Sequence, residues 1–154
     1  MKQARADLWS IQADATVITT NGIINARGEC VMGRGVARDA RDRFRPKDST
    51  PLAEILGMMI KKDGNRVHDT GYWYWEGHTY RIITFPVKEH WSEQARPDLI
   101  SQSCEDLLLL ADTMPSWDNI AMVRPGCGNG GLRWQEIEPL CEAWLDDRFT
   151  VYEK

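Results

Sequence analysis

Two glycine-bearing segments of this chain are suited to binding a phosphorylated ligand, and the richer one lies near the C-terminal end. It reads Arg-Pro-Gly-Cys-Gly-Asn-Gly-Gly-Leu-Arg-Trp over residues 124–134. Glycine can adopt positive φ and lets the backbone come close to a ligand. An amphipathic helical pattern follows, so the N–H groups of the loop would lie beside a helix N-terminus and could hold an anion. We therefore predict a phosphate-binding loop at residues 126–131.

The second segment, Gly33-Arg34-Gly35-Val36-Ala37-Arg38, matches half of a dinucleotide-binding fingerprint. Arg38 stands where the third glycine is expected and a long loop precedes the segment, which disfavours a Rossmann site. A tight turn that starts a helix at 34–44 is the simpler interpretation. We favour phosphate binding, because such a helix would direct its N-terminal dipole at the ligand.

Cys127 and Arg133 have the C-x-x-G-x-x-R spacing of cysteine-dependent phosphatases, between a predicted strand and a predicted helix. A helix N-terminus lowers a thiol pKa, so this chemistry is reasonable there. However, Trp134 follows instead of the Ser or Thr that would assist the leaving thiolate. The loop also lacks the Gly-Lys-Ser/Thr of a P-loop. We favour Cys127 as a small buried residue.

Three polar residues directly follow predicted strands. Lys88 lies where α/β active sites gather, and a desolvated lysine there could attack an anomeric carbon or act as a fixed cation. His90 is either a general acid/base or a packed ring, and we favour the packed ring. Asn21 either closes a turn or reads ribose hydroxyls with its amide.

Strands and helices alternate along the chain as in an α/β domain. Predicted strands lie at 6–11, 14–20, 65–69, 120–123 and 149–152, with a hairpin of Tyr72–Trp75 and Thr79–Pro86. Predicted helices lie at 34–44, at 51–62, from Asp98 or Ser101 to about 112, and at 134–145. This order predicts a mostly parallel or mixed sheet covered on both faces. Ligands of such sheets bind at the carboxyl ends of the strands, where both glycine-bearing loops would lie.

Composition narrows the function classes. A length of 154 residues predicts one domain, and a net charge of −4 argues against a broad surface for duplex DNA or anionic membrane. The seven tryptophans indicate stacking surfaces or a Trp-rich core. No signal peptide or transmembrane run is visible, and we expect a monomeric cytoplasmic protein, bacterial or, if phage-encoded, in the host cytoplasm. Neither the histidines nor the four cysteines have metal-site spacing, so we expect free thiols at Cys30, Cys104, Cys127 and Cys141.

The chain resembles the macrodomains, a family of three-layer α/β/α modules that bind ADP-ribose. Macrodomains open with Gly-Asp-Ile/Leu and then Asp-Ala-Ile-Val-Asn-Ala-Ala-Asn, matched here by Ala6-Asp7-Leu8 and by residues 14–21. Residues 31–37 and 126–132 resemble the two ligand loops of the family. The resemblance covers nearly the whole chain and implies a single macrodomain over 1–154 with a central mixed, mostly parallel sheet.

The resemblance also implies where ADP-ribose would bind. Asp7 and Leu8 would contact adenine, Asn21 would lie near the distal ribose, and the second loop would wrap the diphosphate. Tyr152 stands where family members often place an aromatic residue near adenine. The full implied set is Asp7, Leu8, Asn21, Met32, Gly33, Arg34, Gly35, Val36, Pro125, Gly126, Cys127, Gly128, Asn129, Gly130, Gly131, Leu132 and Tyr152.

Within the family, the string Pro86-Val87-Lys88-Glu89-His90-Trp91 is similar to that of the DarG-type antitoxin macrodomains, which remove ADP-ribose from DNA. The similarity implies that Lys88 is the catalytic lysine, with Asn21 orienting the ribose. The related terminal ADP-ribose protein glycohydrolases carry an Asp in the second loop, where this chain has Gly130 or Gly131. The absence of this Asp disfavours the reaction on glutamate-linked ADP-ribose and leaves the DNA-type reaction as the better-supported possibility.

The leading hypothesis is a hydrolase that acts on ADP-ribosylated DNA or protein, with ADP-ribose as ligand and product and without a metal or cofactor. A module that binds ADP-ribose, or a related nucleotide signal, without catalysis is one alternative. A phosphatase is the other, acting on ADP-ribose 1″-phosphate or through Cys127.

Overall fold

The chain forms six strands and four α-helices. The computed structural model describes residues 1–154. The strands are β1 (Lys2–Arg5), β2 (Ala15–Thr20), β3 (His68–Trp75), β4 (His78–Pro86), β5 (Ile120–Val123) and β6 (Phe149–Glu153). The helices are α1 (Gly35–Arg43), α2 (Leu52–Asp63), α3 (Pro97–Asp112) and α4 (Trp134–Glu142). No helix combines the length and the apolar character that crossing a membrane would require.

All six strands form one sheet in the order β1-β6-β5-β2-β4-β3. Neighbouring strands are parallel except for β3, which pairs antiparallel with β4 at the edge. The β-branched strand β2 lies between β5 and β4, and five of its six residues are buried. A parallel sheet must be covered on both faces, which explains why this strand is almost continuously buried. The predicted mixed, mostly parallel sheet is confirmed.

Helices cover both faces of the sheet and give three layers. Successive strand residues point to opposite faces. Val17 accordingly packs in the core beneath α3 and α4, whereas Ile18 packs in a second core with α1 and α2. The predicted α/β/α architecture is therefore confirmed.

The predicted strand at 6–11 is wrong. The first strand ends at Arg5, and Leu8–Ser10 form one turn of 3-10 helix. The Asp7 carboxylate caps this turn by accepting a hydrogen bond from the Trp9 N–H at 3.2 Å. Leu8 and Trp9 are both buried, which an alternating strand on the surface of a sheet would not allow.

Other boundaries also shift, and helix α4 ends at Glu142 rather than at residue 145. Strand β3 begins at His68 rather than at residue 65, and it continues through a bulge between Asp69 and Tyr72 into the predicted hairpin. Helix α3 begins at Pro97, one residue before the predicted Asp98, because proline fits the first turn of a helix, where its missing N–H costs nothing.

Candidate active site

A cleft of about 1240 Å³ opens at the carboxyl ends of the parallel strands. The segments that follow β1, β2, β4 and β5, together with the end of β6, line it. Because the carboxyl ends of parallel strands meet at one edge, residues far apart in the sequence come together here. A cavity of this size can accommodate a dinucleotide-sized ligand.

The cleft collects most of the predicted site residues. Fifteen of them line it: Asp7, Leu8, Asn21, Gly33, Arg34, Gly35, Val36, Lys88, Gly126, Cys127, Gly128, Asn129, Gly130, Leu132 and Tyr152. Met32, Pro125 and Gly131 are not among the lining residues. Met32 is instead fully buried in the core beneath α1 and α2.

The sequence analysis missed several residues that also line the cleft, among them Trp9, Trp91, Glu93, Arg124 and Trp134. Trp91 ends the string that resembles the DarG-type macrodomains, but for Trp9 and Trp134 the only sequence signal was the high tryptophan content. It did not distinguish Trp9 and Trp134, which are nearly buried, from Trp91, which is 51% exposed.

The N-terminus of α1 forms one side of an anion site. Gly35 begins the helix with φ of +59°, and the preceding Arg34 offers no side-chain cap. The N–H groups of Gly35, Val36 and Ala37 therefore have no acceptor within the protein. All three residues line the cleft, where these N–H groups and the helix dipole favour an anion.

The glycine-rich loop at 126–131 forms the other side. Gly126 has φ of +75°, and its carbonyl accepts a hydrogen bond from the Leu132 N–H at 2.9 Å, which closes the loop. The N–H groups of Gly128, Asn129 and Gly130 have no acceptor within the protein. The loop thus presents three further donors at the cleft.

The two loops meet across the cleft. A Cβ atom added to Gly35 would lie only 3.0 Å from the Asn129 side-chain nitrogen. A side chain at position 35 would therefore crowd the second loop. An anion between the loops would receive N–H groups from both, as a diphosphate requires.

The Asn21 amide mainly holds its own loop. It is 7% exposed, its Nδ2 donates to the Val31 carbonyl at 2.8 Å, and its Oδ1 accepts from the Ile23 N–H at 3.0 Å. The turn interpretation is thus supported. One amide N–H stays without an acceptor and is available to a ligand in the cleft.

Lys88 is half-buried and its amine is held at the cleft wall. Nζ donates to the Glu93 carbonyl at 3.2 Å, across the turn that follows β4. Burial lowers the pKa of Lys88, the positive charge of Arg34 lowers it further, and the Glu93 carboxylate opposes both effects. The neutral amine is consequently more populated than in a solvated lysine.

The His90 ring is partly buried and is held by its neighbours in the turn. Its Nδ1 accepts the Ser92 N–H at 3.1 Å, and its ring lies 5.2 Å from the Trp91 ring. The residue is not among those that line the cleft. These contacts support the packed-ring interpretation and make His90 a brace for its neighbours.

Cys127 is half-buried and lines the cleft, so the expected fully buried position is wrong, but the residue does not have the properties of a nucleophile. Burial, reinforced by the neighbouring Cys141, raises the pKa of its thiol to about 11. Its Sγ donates to the Pro125 carbonyl at 3.4 Å. The thiolate is the reactive form, so this environment disfavours covalent phosphatase chemistry.

Asp7, Tyr152 and Arg124 line the end of the cleft opposite Lys88. Asp7 is exposed and uses one carboxylate oxygen to cap the 3-10 turn. The Arg124 guanidinium lies 5.2 Å from the Trp134 ring centre and pairs with Glu153 at 3.3 Å. This end offers aromatic faces and hydrogen-bonding groups for a planar base.

Comparisons with known proteins find chains of similar sequence and fold. No family model matches the chain. It is similar to curated DNA ADP-ribosyl glycohydrolases: it shares 25% identity with that of Thermus aquaticus over 146 residues (95% of this chain, 38% of the relative). It shares 29% identity with that of Mycobacterium tuberculosis over 139 residues (86% of this chain, 35% of the relative). The chain thus spans little more than a third of the length of these relatives.

Solved structures match the whole fold. The macrodomain of Mycobacterium tuberculosis DarG superposes with a TM-score of 0.74 at 24% identity, over 99% of this chain and 97% of the other. The macrodomain of Thermus aquaticus DarG gives 0.71 at 25% identity, with the same coverage. This chain has the macrodomain fold. Thermosipho africanus DarTG in complex with ADP-ribose also matches, with a TM-score of 0.73 at 18% identity, over 97% of this macrodomain and 40% of that chain.

The macrodomain offers no donor set for a metal. No three or more His, Cys, Asp or Glu side chains are grouped so that they could hold an ion. The cleft is lined by backbone N–H groups, two lysines, arginines, aromatic rings and carboxylates that do not form a metal-binding group.

Proposed function

We propose that this macrodomain binds ADP-ribose and hydrolyses the bond that joins ADP-ribose to a modified base in DNA. One observation carries the proposal: the Lys88 amine, with its lowered pKa, lies in the same cleft as two loops that present unpaired N–H groups. The name of the similar curated proteins, DNA ADP-ribosyl glycohydrolase, supports DNA as the substrate class.

In the proposed complex, ADP-ribose lies along the cleft. Adenine occupies the end at Asp7 and Tyr152, and the diphosphate lies between α1 and the glycine-rich loop. The distal ribose then approaches Asn21, and its C1″ carbon faces Lys88. Holding the reacting atoms in this way would supply a large part of the rate enhancement.

The neutral Lys88 amine is proposed as the nucleophile. Its lone pair forms a bond to C1″ while the bond from C1″ to the base breaks, and the electron pair leaves with the base, which takes up a proton. Water then adds to C1″ and displaces the amine, which releases ADP-ribose and restores Lys88. The lowered pKa favours this role over that of a fixed cation, because only the neutral amine can attack.

We propose that no metal or cofactor takes part and that one copy of the chain suffices, since a single chain supplies every group in this mechanism. Dialysis against EDTA should leave turnover unchanged. Turnover per chain should not depend on protein concentration.

Replacement of Lys88 by alanine tests the proposal. An ADP-ribosylated single-stranded oligonucleotide is the substrate, and released ADP-ribose is quantified by chromatography. We expect Lys88→Ala to lower kcat at least about 100-fold, while calorimetry gives an ADP-ribose Kd within about threefold of the wild type.

The matched control is Gly128→Glu, which adds a negative side chain at a position with no atom within 4 Å of the new Cβ. It should fold and lose ADP-ribose binding and turnover together. A wild-type protein that binds ADP-ribose but releases none from the oligonucleotide would make this macrodomain a binding module and refute the hydrolase.

A further inference from the structure

Trp91 stands apart from the other aromatic residues of the cleft. Of the five large hydrophobic side chains that are strongly exposed, it alone lines the cleft, with 51% of its surface accessible. Trp9 and Trp134 also border the cleft, but each is less than 10% exposed and packs in the fold. An exposed indole at the cleft wall is a stacking surface that the fold itself does not use.

The turn that carries Trp91 also carries the Lys88 amine. The hydrogen bond from Lys88 Nζ to the Glu93 carbonyl spans the turn at 3.2 Å, and Trp91 lies between these two residues in the chain. The His90 ring lies beside the indole and is itself held by Ser92, whose Oγ is 2.7 Å from His90 Nδ1. A base bonded to the carbon that Lys88 attacks would therefore lie next to the indole.

Arginines extend along α1 from the same part of the cleft. Arg34, Arg38 and Arg41 are spaced by four and three residues, so they lie along one side of the helix about one turn apart. The Arg38 side chain is 62% exposed. Asp42 is the one acid that pairs with this row, at 3.7 Å from Arg38 and 2.9 Å from Arg41, and Arg34 has no ion-pair partner.

Acidic groups occupy the other side of the turn. Glu93 is exposed, lines the cleft and has no ion-pair partner, and Glu89 is engaged by Asn65 and Arg96. On α1, Asp39 also lines the cleft, but it lies 3.9 Å from the Arg43 guanidinium, which offsets its charge. A phosphodiester that leaves the Lys88 region is thus repelled on the Glu93 side and attracted by the arginines on the α1 side. The charge distribution gives the bound strand a direction.

We propose that, in an ADP-ribosylated single strand, the modified base stacks on Trp91 and its flanking phosphates lie along Arg34, Arg38 and Arg41. This inference rests on the proposed function. It concerns the leaving group of the reaction, which is the base together with the strand that carries it. A base cannot reach the cleft wall while it is stacked within a duplex. The narrow arginine row on a chain of net charge −4 also fits one strand better than the broad surface of a duplex.

Trp91→Ala and Trp91→Phe test the stacking. Removal of one base–aromatic stack weakens binding roughly 10-fold to 100-fold. We therefore expect Trp91→Ala to raise KM for the ADP-ribosylated oligonucleotide by that factor, and Trp91→Phe to restore most of it. ADP-ribose affinity should stay within twofold. An unchanged KM in Trp91→Ala, or a parallel decrease of ADP-ribose affinity, would overturn the inference.

Arg38→Gln tests the phosphate contacts, with Lys2→Gln as the charge-matched control on strand β1. For a single strand, each phosphate that the protein no longer neutralises should reduce the slope of log KM against log salt by about 0.7. We expect this change in Arg38→Gln and none in Lys2→Gln. Neither variant should change kcat/KM for an ADP-ribosylated nucleoside, which has no flanking phosphates. Equal slopes in the two variants would refute phosphate binding by the arginine row.

A duplex that carries the same modified base should react more slowly than the single strand, and equal rates would contradict the strand preference. These outcomes are separate from failure of the proposed function. If the hydrolase proposal is wrong, the wild type itself releases no ADP-ribose. If only this inference is wrong, the wild type is active and Trp91→Ala and Arg38→Gln match it.

Discussion

The charge state of a single amine controls the proposed chemistry. Two neighbours act on Lys88 in opposite directions: Arg34 lowers its pKa and Glu93 raises it. Because the neutral amine is the proposed nucleophile, activity should rise with pH through the pKa of Lys88. Arg34→Gln should move that rise to higher pH, and Glu93→Gln should move it to lower pH. The measurement is kcat/KM against pH with an ADP-ribosylated nucleoside, which avoids contacts to flanking phosphates.

Lys2→Gln is the control for this pH dependence, since it removes a charge that does not act on Lys88. Its profile should match the wild type. Shifts of Arg34→Gln and Glu93→Gln in the same direction would show that the titrating group is not Lys88. A rate that falls with rising pH would instead make Lys88 a fixed cation.

Cys127 gives a second prediction for a single residue. Its thiol has a pKa raised to about 11, so it is almost entirely protonated at neutral pH. Cys127→Ala should therefore keep turnover within about threefold, and iodoacetamide should alkylate the wild-type thiol slowly at pH 7. A decrease of activity as large as that expected for Lys88→Ala would instead support a covalent mechanism through Cys127.

The sequence was sufficient to place several residues at the cleft. The glycine loops, Lys88 and the disfavoured Cys127 could be identified from residue types next to predicted strands and from the family resemblance. Trp91 and Glu93 could not, because their position in the cleft depends on the turn closed by the Lys88 hydrogen bond. No pattern of sequence spacing encodes that turn.

At the level of elements, the glycine-rich loop combines one position that must be glycine with one that need not be. A Cβ at Gly130 would lie 2.5 Å from the Gly126 carbonyl oxygen and 2.7 Å from the Ala95 Cβ. A Cβ at Gly128 would meet nothing within 4 Å. We expect Gly130→Ala to lower the free energy of unfolding by about 1–3 kcal/mol, and Gly128→Ala to change it by less than about 0.5 kcal/mol.

Urea unfolding followed by tryptophan fluorescence measures both variants. The Ala95 N–H donates to the Gly130 carbonyl at 2.9 Å, so Gly130→Ala should also disturb the segment before α3 and weaken ADP-ribose binding. If Gly128→Ala were the more destabilising change, the close packing of the loop around Gly130 would be wrong.

Sequence periodicity was sufficient to predict some secondary-structure elements but not others. The hairpin of β3 and β4 was predicted correctly because Glu76 and Gly77, both with positive φ, form its tight turn between alternating strands. Strand β1 was missed because all four of its residues are exposed, so it has no apolar alternation. Only its pairing with β6, at the far end of the chain, makes it a strand.

At the level of the whole molecule, topology determines which residues meet. Strand β2 lies between β5 and β4, so the segments after these three strands are neighbours at one edge of the sheet. They carry Asn21, the glycine-rich loop and Lys88, which are separated by up to about a hundred residues in sequence. The α/β pattern predicts this edge as the binding site, but the strand order that brings these three segments together is a property of the fold.

Ligand binding should stabilise the entire domain, because the cleft joins segments from both ends of the chain. A ligand at about 100 times its Kd adds about 2.7 kcal/mol to the free energy of unfolding. For a domain of this size, that corresponds to a rise in Tm of about 5–11 °C. Scanning fluorimetry with increasing ADP-ribose should show it.

AMP and ribose 5-phosphate serve as half-ligands for this measurement. Each carries one phosphate and cannot span the adenine end and the Lys88 end together, so each should raise Tm less than ADP-ribose does at equal concentration. Gly128→Glu should have the wild-type Tm without ligand and show no rise with it, since its carboxylate would stand among the N–H groups that hold the diphosphate. An equal response to AMP and ADP-ribose would mean that the distal ribose makes no contact near Lys88, and the hydrolytic pose would then have to be abandoned.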